Sequence, residues 1–281
     1  MTDTTPSTTI AHLPLPPADF GFAPDPWLTP AADLVDALID RLRDGRRSTP
    51  AFIATGIAAF DSTGGGLSPG TLTVLCAPPG ADRTTPLLAA AVHAAQHNHH
   101  VVCYELGAPV ALLSARVASV ASGVALHRLA SGRPTDAEMA ALVDAQRRLA
   151  GVPLHLIVGQ TVSTHDIRAM CLSADDPPEL IVVDNFSLLA HGGRATDLKH
   201  LAVDLNVAVL CSTTVVASDE GFEPRGPDGD LLTAADTITW AGSPGGLTLV
   251  ERASYLSSQG EHDDGPPPPE AELAVGVLPT S

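Results

Sequence analysis

The apolar positions of this chain change period once, near residue 52. Between Thr29 and Gly45 they recur at helical spacing: Leu34, Val35, Leu38, Ile39 and Leu42 fall on one face. Thr29 supplies an N-cap, Pro30 suits the first turn, Asp33 sits near the positive end and Gly45 ends the helix. From residue 52 onward, short apolar runs alternate with helical segments. The runs predict strands over Leu72–Cys76, Val101–Glu105, Leu154–Val158, Leu180–Asp184, Val207–Ser212, Thr237–Trp240 and Leu247–Glu251. Several are continuously apolar, as strands buried on both faces must be. The intervening periodicity predicts helices over 84–97, 108–122, 135–150, 164–173 and 195–205. This alternation implies an α/β domain with a mainly parallel β-sheet flanked by helices. The last two runs have no long helix between them and predict an antiparallel edge.

The ends of the chain lack periodicity. Residues 1–28 are rich in Thr, Pro and Asp and read as a disordered arm. Phe20, Phe22 and Trp27 interrupt that polarity, so 20–27 either docks a protein partner or folds back on the domain. Residues 257–281 read as an acidic, Pro-rich disordered tail. The expected organisation is therefore an arm (1–28), a helix and linker (29–51), an α/β domain (52–256) and a tail (257–281).

Composition narrows the function classes. Hydrophobic residues make up 44% and aromatics 4%, so Ala, Val and Leu must fill the core. Fifteen Lys and Arg face 32 Asp and Glu, a net charge of −17. Binding to a phosphate backbone is driven by basic residues that release counterions, so this balance argues against tight, nonspecific DNA binding by a lone subunit. No apolar run reaches the roughly 18 residues of a membrane span. The first residues lack the basic start of a secretory signal, and we expect a cytoplasmic protein. Cys76, Cys103, Cys171 and Cys211 are scattered rather than clustered, which favours buried thiols over metal ligation. His97-Asn98-His99-His100 fits either a metal patch or a polar turn between a helix and a strand, and we read the turn.

The candidate chemistry lies on the loop after the first strand. Leu75-Cys76-Ala77-Pro78-Pro79-Gly80-Ala81-Asp82-Arg83-Thr84-Thr85 occupies the strand–loop–helix context of a phosphate-binding loop. Such a loop ends Gly-Lys-Ser/Thr: backbone amides wrap the phosphates, the Lys neutralises the terminal ones and the hydroxyl holds Mg²⁺. Here Asp82 replaces the Gly and Arg83 the Lys, while Thr84 keeps the hydroxyl. Asp184 ends a buried strand, where it is placed to hold Mg²⁺ through water. Glu105 ends another and is a candidate base for orienting an attacking water, since the strand ends of a parallel sheet gather along one edge. An acid at a strand end is also a common solvated cap, and only the joint occurrence of the three features favours the catalytic reading.

Taken together these segments resemble the C-terminal motor domain of DnaB-type replicative helicases, in the RecA-like class of P-loop ATPases. Thr55-Gly56, Phe60-Asp61 and Gly65-Gly66-Leu67-Ser68-Pro69-Gly70 are similar to the family's entry into its first strand. Tyr104-Glu105-Leu106 resembles the strand end that bears its catalytic Glu, and Val182-Val183-Asp184-Asn185-Phe186 its Walker B strand. Leu113-x-x-Arg116, Arg128-Leu129-x-x-Gly132, Ile167-Arg168 and Leu198-Lys199-x-Leu201-Ala202 resemble spaced helical positions, and the similarity runs over roughly 30–252. The resemblance implies a RecA-like P-loop fold preceded by a linker-type helix. It implies ATP and Mg²⁺ as cofactors, with Pro79, Gly80, Ala81, Asp82, Arg83, Thr84 and Thr85 forming the loop. It also implies self-association into a ring or filament through the helix bearing Leu34, Leu38 and Leu42, whereas the residues alone leave open that this face packs on its own domain.

The departures point away from an ordinary motor. A planar guanidinium at Arg83 replaces a compact ammonium, and Asp82 places a negative charge near the phosphates. The family's polar sensor after the next strand is Thr213. Its trans-acting cation pair is reduced to Arg252 with Ser254, and His191-Gly192-Gly193-Arg194 leaves little of the DNA-facing loops. These features favour a hydrolysis-impaired oligomeric scaffold or regulator. The alternative is an active ATPase acting on DNA, favoured by retention of Thr84, Glu105 and Asp184. A binding module docking through 20–27 is a third reading.

Overall fold

The computed structural model describes residues 52–61, 65–190, 195–218, 221–224, 229–241 and 247–251, with isolated positions at 32, 35, 36 and 39. The chain divides into two units, Met1–Thr49 and Pro50–Ser281. In the first, Ala32, Val35, Asp36 and Ile39 are helical. Leu34, Leu38 and Leu42, the arm at 20–27, Arg194, Arg252 and the tail all lie outside the described residues.

Among the described residues of the second unit, eight strands form one sheet. They are β1 (Leu72–Ala77), β2 (Val101–Glu105), β3 (Leu154–Val158), β4 (Leu180–Asp184), β5 (Ala208–Ser218), β6 (Gly221–Pro224), β7 (Thr237–Ala241) and β8 (Leu247–Glu251). Their order is β3-β2-β4-β5-β1-β7-β8, and neighbours from β3 to β7 pair in parallel. β8 runs antiparallel to β7, which makes the predicted antiparallel edge. The apolar run that predicts β5 ends at Ser212, but the strand continues to Ser218. Its outer half, from Val215, pairs with β6 as a hairpin beyond the parallel core.

Side-chain alternation sorts the strands onto two faces. Leu75, Val182 and Leu210 pack with Leu87, Leu88 and Ala91 of the helix Thr84–Gln96. Val74, Val183 and Cys211 pack on the other face with Ile167, Leu198 and Leu231. The helix Thr84–Gln96 buries four alanines, Ala90, Ala91, Ala94 and Ala95, together with Leu87, Leu88 and Val92. Small side chains bring its backbone close to the sheet and compensate for the scarcity of aromatics. Tyr104 is a rare large core residue, and its hydroxyl reaches Met170 Sδ at 3.2 Å.

Helix boundaries follow capping chemistry. Thr135 and Ser163 each form a capping box, with Glu138 and Asp166 respectively, so the helices begin at Asp136 and Thr164. Thr135 therefore lies just outside the helix that periodicity starts at 135. The segment expected from 108 begins at Val110 after Pro109 and closes at Gly123 in the left-handed conformation. Short helices at Leu126–Ala130 and Gly229–Ala234 have too few turns to give a periodic signal. Residues 97–100 form the polar turn between the helix and β2. All four cysteines are buried, and burial pushes the thiols of Cys76 and Cys103 well above their ordinary value.

Candidate nucleotide site

The same alternation assembles the site. In β2 the row Val101, Cys103 ends at Glu105, and in β4 the row Leu180, Val182 ends at Asp184. In β5 the row Ala208, Leu210 continues to Ser212 and Thr214. Period two therefore carries four polar side chains onto the face covered by the helix Thr84–Gln96. The parallel register places Glu105 beside Asp184 on adjacent strands.

The helix brings its first turn to this row. Thr84 Oγ1 donates to Asp184 Oδ2 at 2.5 Å, and Ser212 Oγ donates to Asp184 Oδ1. Asp184, only 4% exposed, thus has both oxygens satisfied by hydroxyls. Glu105 is 3% exposed; its Oε1 accepts from the backbone N–H groups of Gly107 (3.0 Å) and Ala108 (2.9 Å). Its Oε2 is buried and has no hydrogen-bond partner among the described residues. Burial, and then the charge of Asp184, push the Glu105 carboxyl up to about 7, against the two amides that pull it down.

The loop itself departs from an open anion cradle. Gly80 has a positive φ of 88°, with nothing within 4 Å of a built Cβ, so the loop has room. Ala81 N–H donates to Pro78 O at 3.1 Å and closes the turn. Asp82 folds its carboxylate onto the start of the helix: Oδ1 accepts from Thr85 N–H at 3.1 Å and Oδ2 from Thr85 Oγ1 at 2.5 Å. Arg83 turns to β5, where Nη1 donates to Thr214 Oγ1, and its Nε is buried without a partner. Pro79 is exposed beside Gly80.

The structure thus brings Thr84, Glu105 and Asp184 together and joins Asp82 to Thr85. The residue that meets Arg83 is Thr214. Thr213, the expected sensor, is fully buried in the row of Cys211 and Val215 that faces the opposite side of the sheet. Sequence reasoning misses Ser212 and Thr214, although the alternation of β5 is the signal for both. Other family-like positions have structural partners: Arg128 pairs with Glu138 and Arg168 with Asp204, while Asp61 accepts from Thr55 and Gly56. Lys199 Nζ donates to Asp236 Oδ2 at 2.7 Å, and Asp236 Oδ2 also accepts from Leu72 N–H at the start of β1.

Residues 53–227 match the model of the DnaB-like helicase C terminal domain. The chain belongs to this family. The matched span of this DnaB-like chain holds the loop, Glu105, Asp184 and Thr214, whereas β7 and β8 lie beyond it. The chain is 23% identical over 266 residues to the Replicative DNA helicase DnaB of Leifsonia xyli subsp. xyli (strain CTCB07). The match takes in 88% of this chain and 56% of the relative, so the chain spans little more than half of that relative's length. Among solved structures, an ATPase domain superposes with a TM-score of 0.66 at 15% identity, covering 85% of this chain and 93% of that one. A DnaB-like replicative helicase, described with its interactions with primase, superposes at 0.65 and 14% identity, covering 80% and 62% respectively. Both likenesses establish the RecA-like P-loop fold.

A second concave feature of this DnaB-like fold lies apart from these residues. A cavity of about 580 Å³ opens between the helices Val110–Ser122 and Asp136–Leu149 and β3. Its lining includes Val110, Leu113, Val117, Leu142, Leu149 and Val158. Val110 and Val143, on those two helices, are 64% and 42% exposed. No helix among the described residues is long and apolar enough to cross a membrane.

Proposed function

We propose that this chain is a DnaB-type motor domain with a degenerate nucleotide site, impaired in hydrolysis, which serves as an oligomeric scaffold or regulator. The observation that carries this reading is the engagement of Arg83. Phosphoryl transfer proceeds by positioning and by cations that stabilise the charge developing on the transferred group. Here the cation at the loop's Lys position is hydrogen-bonded to Thr214. Two buried carboxylates, Glu105 and Asp184, stand side by side on the adjoining strands. Turning the guanidinium back toward phosphate means breaking that bond, and its planar fork does not reproduce the point charge of an ammonium.

The alternative reading is an active ATPase acting on DNA. It is favoured by the Thr84–Asp184 hydrogen bond and by Glu105, whose unpartnered Oε2 suits a water or a hydrated cation. The residues present fit a divalent cation: a hydroxyl and one or two carboxylates are what Mg²⁺ takes alongside its waters and substrate phosphates. In this reading Thr84 and Asp184 hold Mg²⁺, Glu105 orients water, Arg83 contacts phosphate and Arg252 acts in trans. The ion would supply charge neutralisation at the phosphates.

For the scaffold reading, self-association rests on the apolar helical pattern of Leu34, Leu38 and Leu42 and on the apolar groove along the helix from Val110. DNA binding is disfavoured by the net charge of −17. Sedimentation without nucleotide tests the assembly. An oligomer that dissociates in Leu38→Glu/Leu42→Glu supports the scaffold; a monomer that assembles only on adding Mg²⁺ and ATP supports the motor.

A further inference from the structure

We propose that Asp82 gates the phosphate loop: its carboxylate is an internal anion seated on Thr85, and a di- or triphosphate binds only by displacing it. This rests on reading 77–85 as a phosphate loop, and it separates the two departures in that loop by function. Arg83 bears on hydrolysis, whereas Asp82 decides binding.

The start of a helix is an anion site because its first N–H groups have no intrahelical partner and the dipole favours negative charge. The helix Thr84–Gln96 carries no acid in its first turn; Asp184 takes the Thr84 hydroxyl, and Asp82 supplies the carboxylate that takes a backbone N–H at the helix start. It takes the Thr85 N–H with one oxygen and the Thr85 hydroxyl with the other. A phosphoryl oxygen arriving there meets occupied donors and a like charge.

A Cβ built at Gly80 meets nothing within 4 Å among the described residues, so this position of the turn faces open space. One donor of the loop is incomplete in a way that a phosphoryl oxygen would complete: Arg83 Nε is buried and has no hydrogen-bond partner among the described residues. Arg83 does not oppose an anion. It retains a positive charge while bonded to the neutral hydroxyl of Thr214, so it does not repel a phosphate even where it does not reach one.

The test is calorimetric titration of the full chain with Mg²⁺-ATP and, separately, with inorganic pyrophosphate. Wild type is compared with Asp82→Asn, Asp82→Gly and Arg83→Lys. Asparagine keeps an acceptor for the Thr85 N–H, removes the charge and turns the acceptor for the Thr85 hydroxyl into an amide donor, so this variant retains the backbone cap of the helix start; thermal melts confirm that each variant is folded. The expected result is that both Asp82 variants bind each ligand at least about tenfold more tightly than wild type, while Arg83→Lys does not. Folded Asp82 variants with wild-type affinity would overturn the gate. So would a gain confined to Arg83→Lys. Neither outcome touches the proposal of impaired hydrolysis, which fails separately, through turnover by the wild-type chain.

Discussion

Thr84 and Asp184, a hundred positions apart in the chain, share a 2.5 Å hydrogen bond from Oγ1 to Oδ2. The bond joins the first turn of the phosphate-loop helix to the end of β4. Ser212 completes the arrangement from β5. In the alternative, active reading Thr84 and Asp184 are the pair that would hold Mg²⁺; in the scaffold reading the same pair is a structural clasp. That double character explains how residues of a nucleotide site persist in a chain we read as impaired in hydrolysis.

Removing the clasp leaves a buried carboxylate oxygen without its partner, a loss of about 1–3 kcal/mol. Thr84→Val is therefore expected to destabilise the domain by that order in urea unfolding. Ser212→Ala, which strips the other oxygen, should cost a similar amount. Thr85→Val, whose hydroxyl meets Asp82 at an exposed position, should cost well under half as much.

Glu105 gives a pH dependence with a defined sign. Its folded value, pushed up to about 7, lies above the ordinary 4.5. The folded state therefore binds this proton more tightly than the unfolded chain does. The resulting stability is fully present below about pH 4.5 and is lost as pH rises through about 7. The loss is about 3 kcal/mol. Glu105→Gln keeps an acceptor for Gly107 and Ala108 and removes the charge. It should flatten that slope and raise the melting temperature above wild type at pH 8, measured in EDTA. A variant less stable than wild type at pH 8 would contradict the assignment.

Two glycines separate close packing from loop freedom. A Cβ at Gly66 falls 2.2 Å from the Ile53 carbonyl oxygen, beside the bridge between Ile53 and Leu67, and φ there is 130°. Gly66→Ala is expected to unfold this corner, with a cost of about 3 kcal/mol or more. Gly80→Ala meets no atom and carries only the strain of its positive φ, about 1 kcal/mol. Denaturation of the two variants side by side reads the difference.

Much of this is legible in the sequence because the strong signals are periodic. Continuous apolar runs ending in Glu105 and Asp184 mark buried parallel strands and place both acids at one edge, where the structure finds them side by side. What the sequence hides depends on partners remote in the chain. Nothing in residues 77–85 tells that Arg83 reaches Thr214, because that contact arises only when β1 pairs with β5. Likeness to the family's sensor selects Thr213, whereas the pleat of β5 turns Thr213 away and presents Thr214. Asp82 is legible as a charge near phosphates, but its seat on Thr85 requires the conformation of the turn. The β5–β6 hairpin gives no signal of its own, because its outer strand has only four residues.

ATP turnover by the wild-type chain with Mg²⁺, set against Glu105→Gln, tests the central claim most directly. The account predicts that wild type turns over at the background rate of the variant. Mg²⁺-dependent hydrolysis by wild type that disappears in Glu105→Gln would contradict it and establish a working motor.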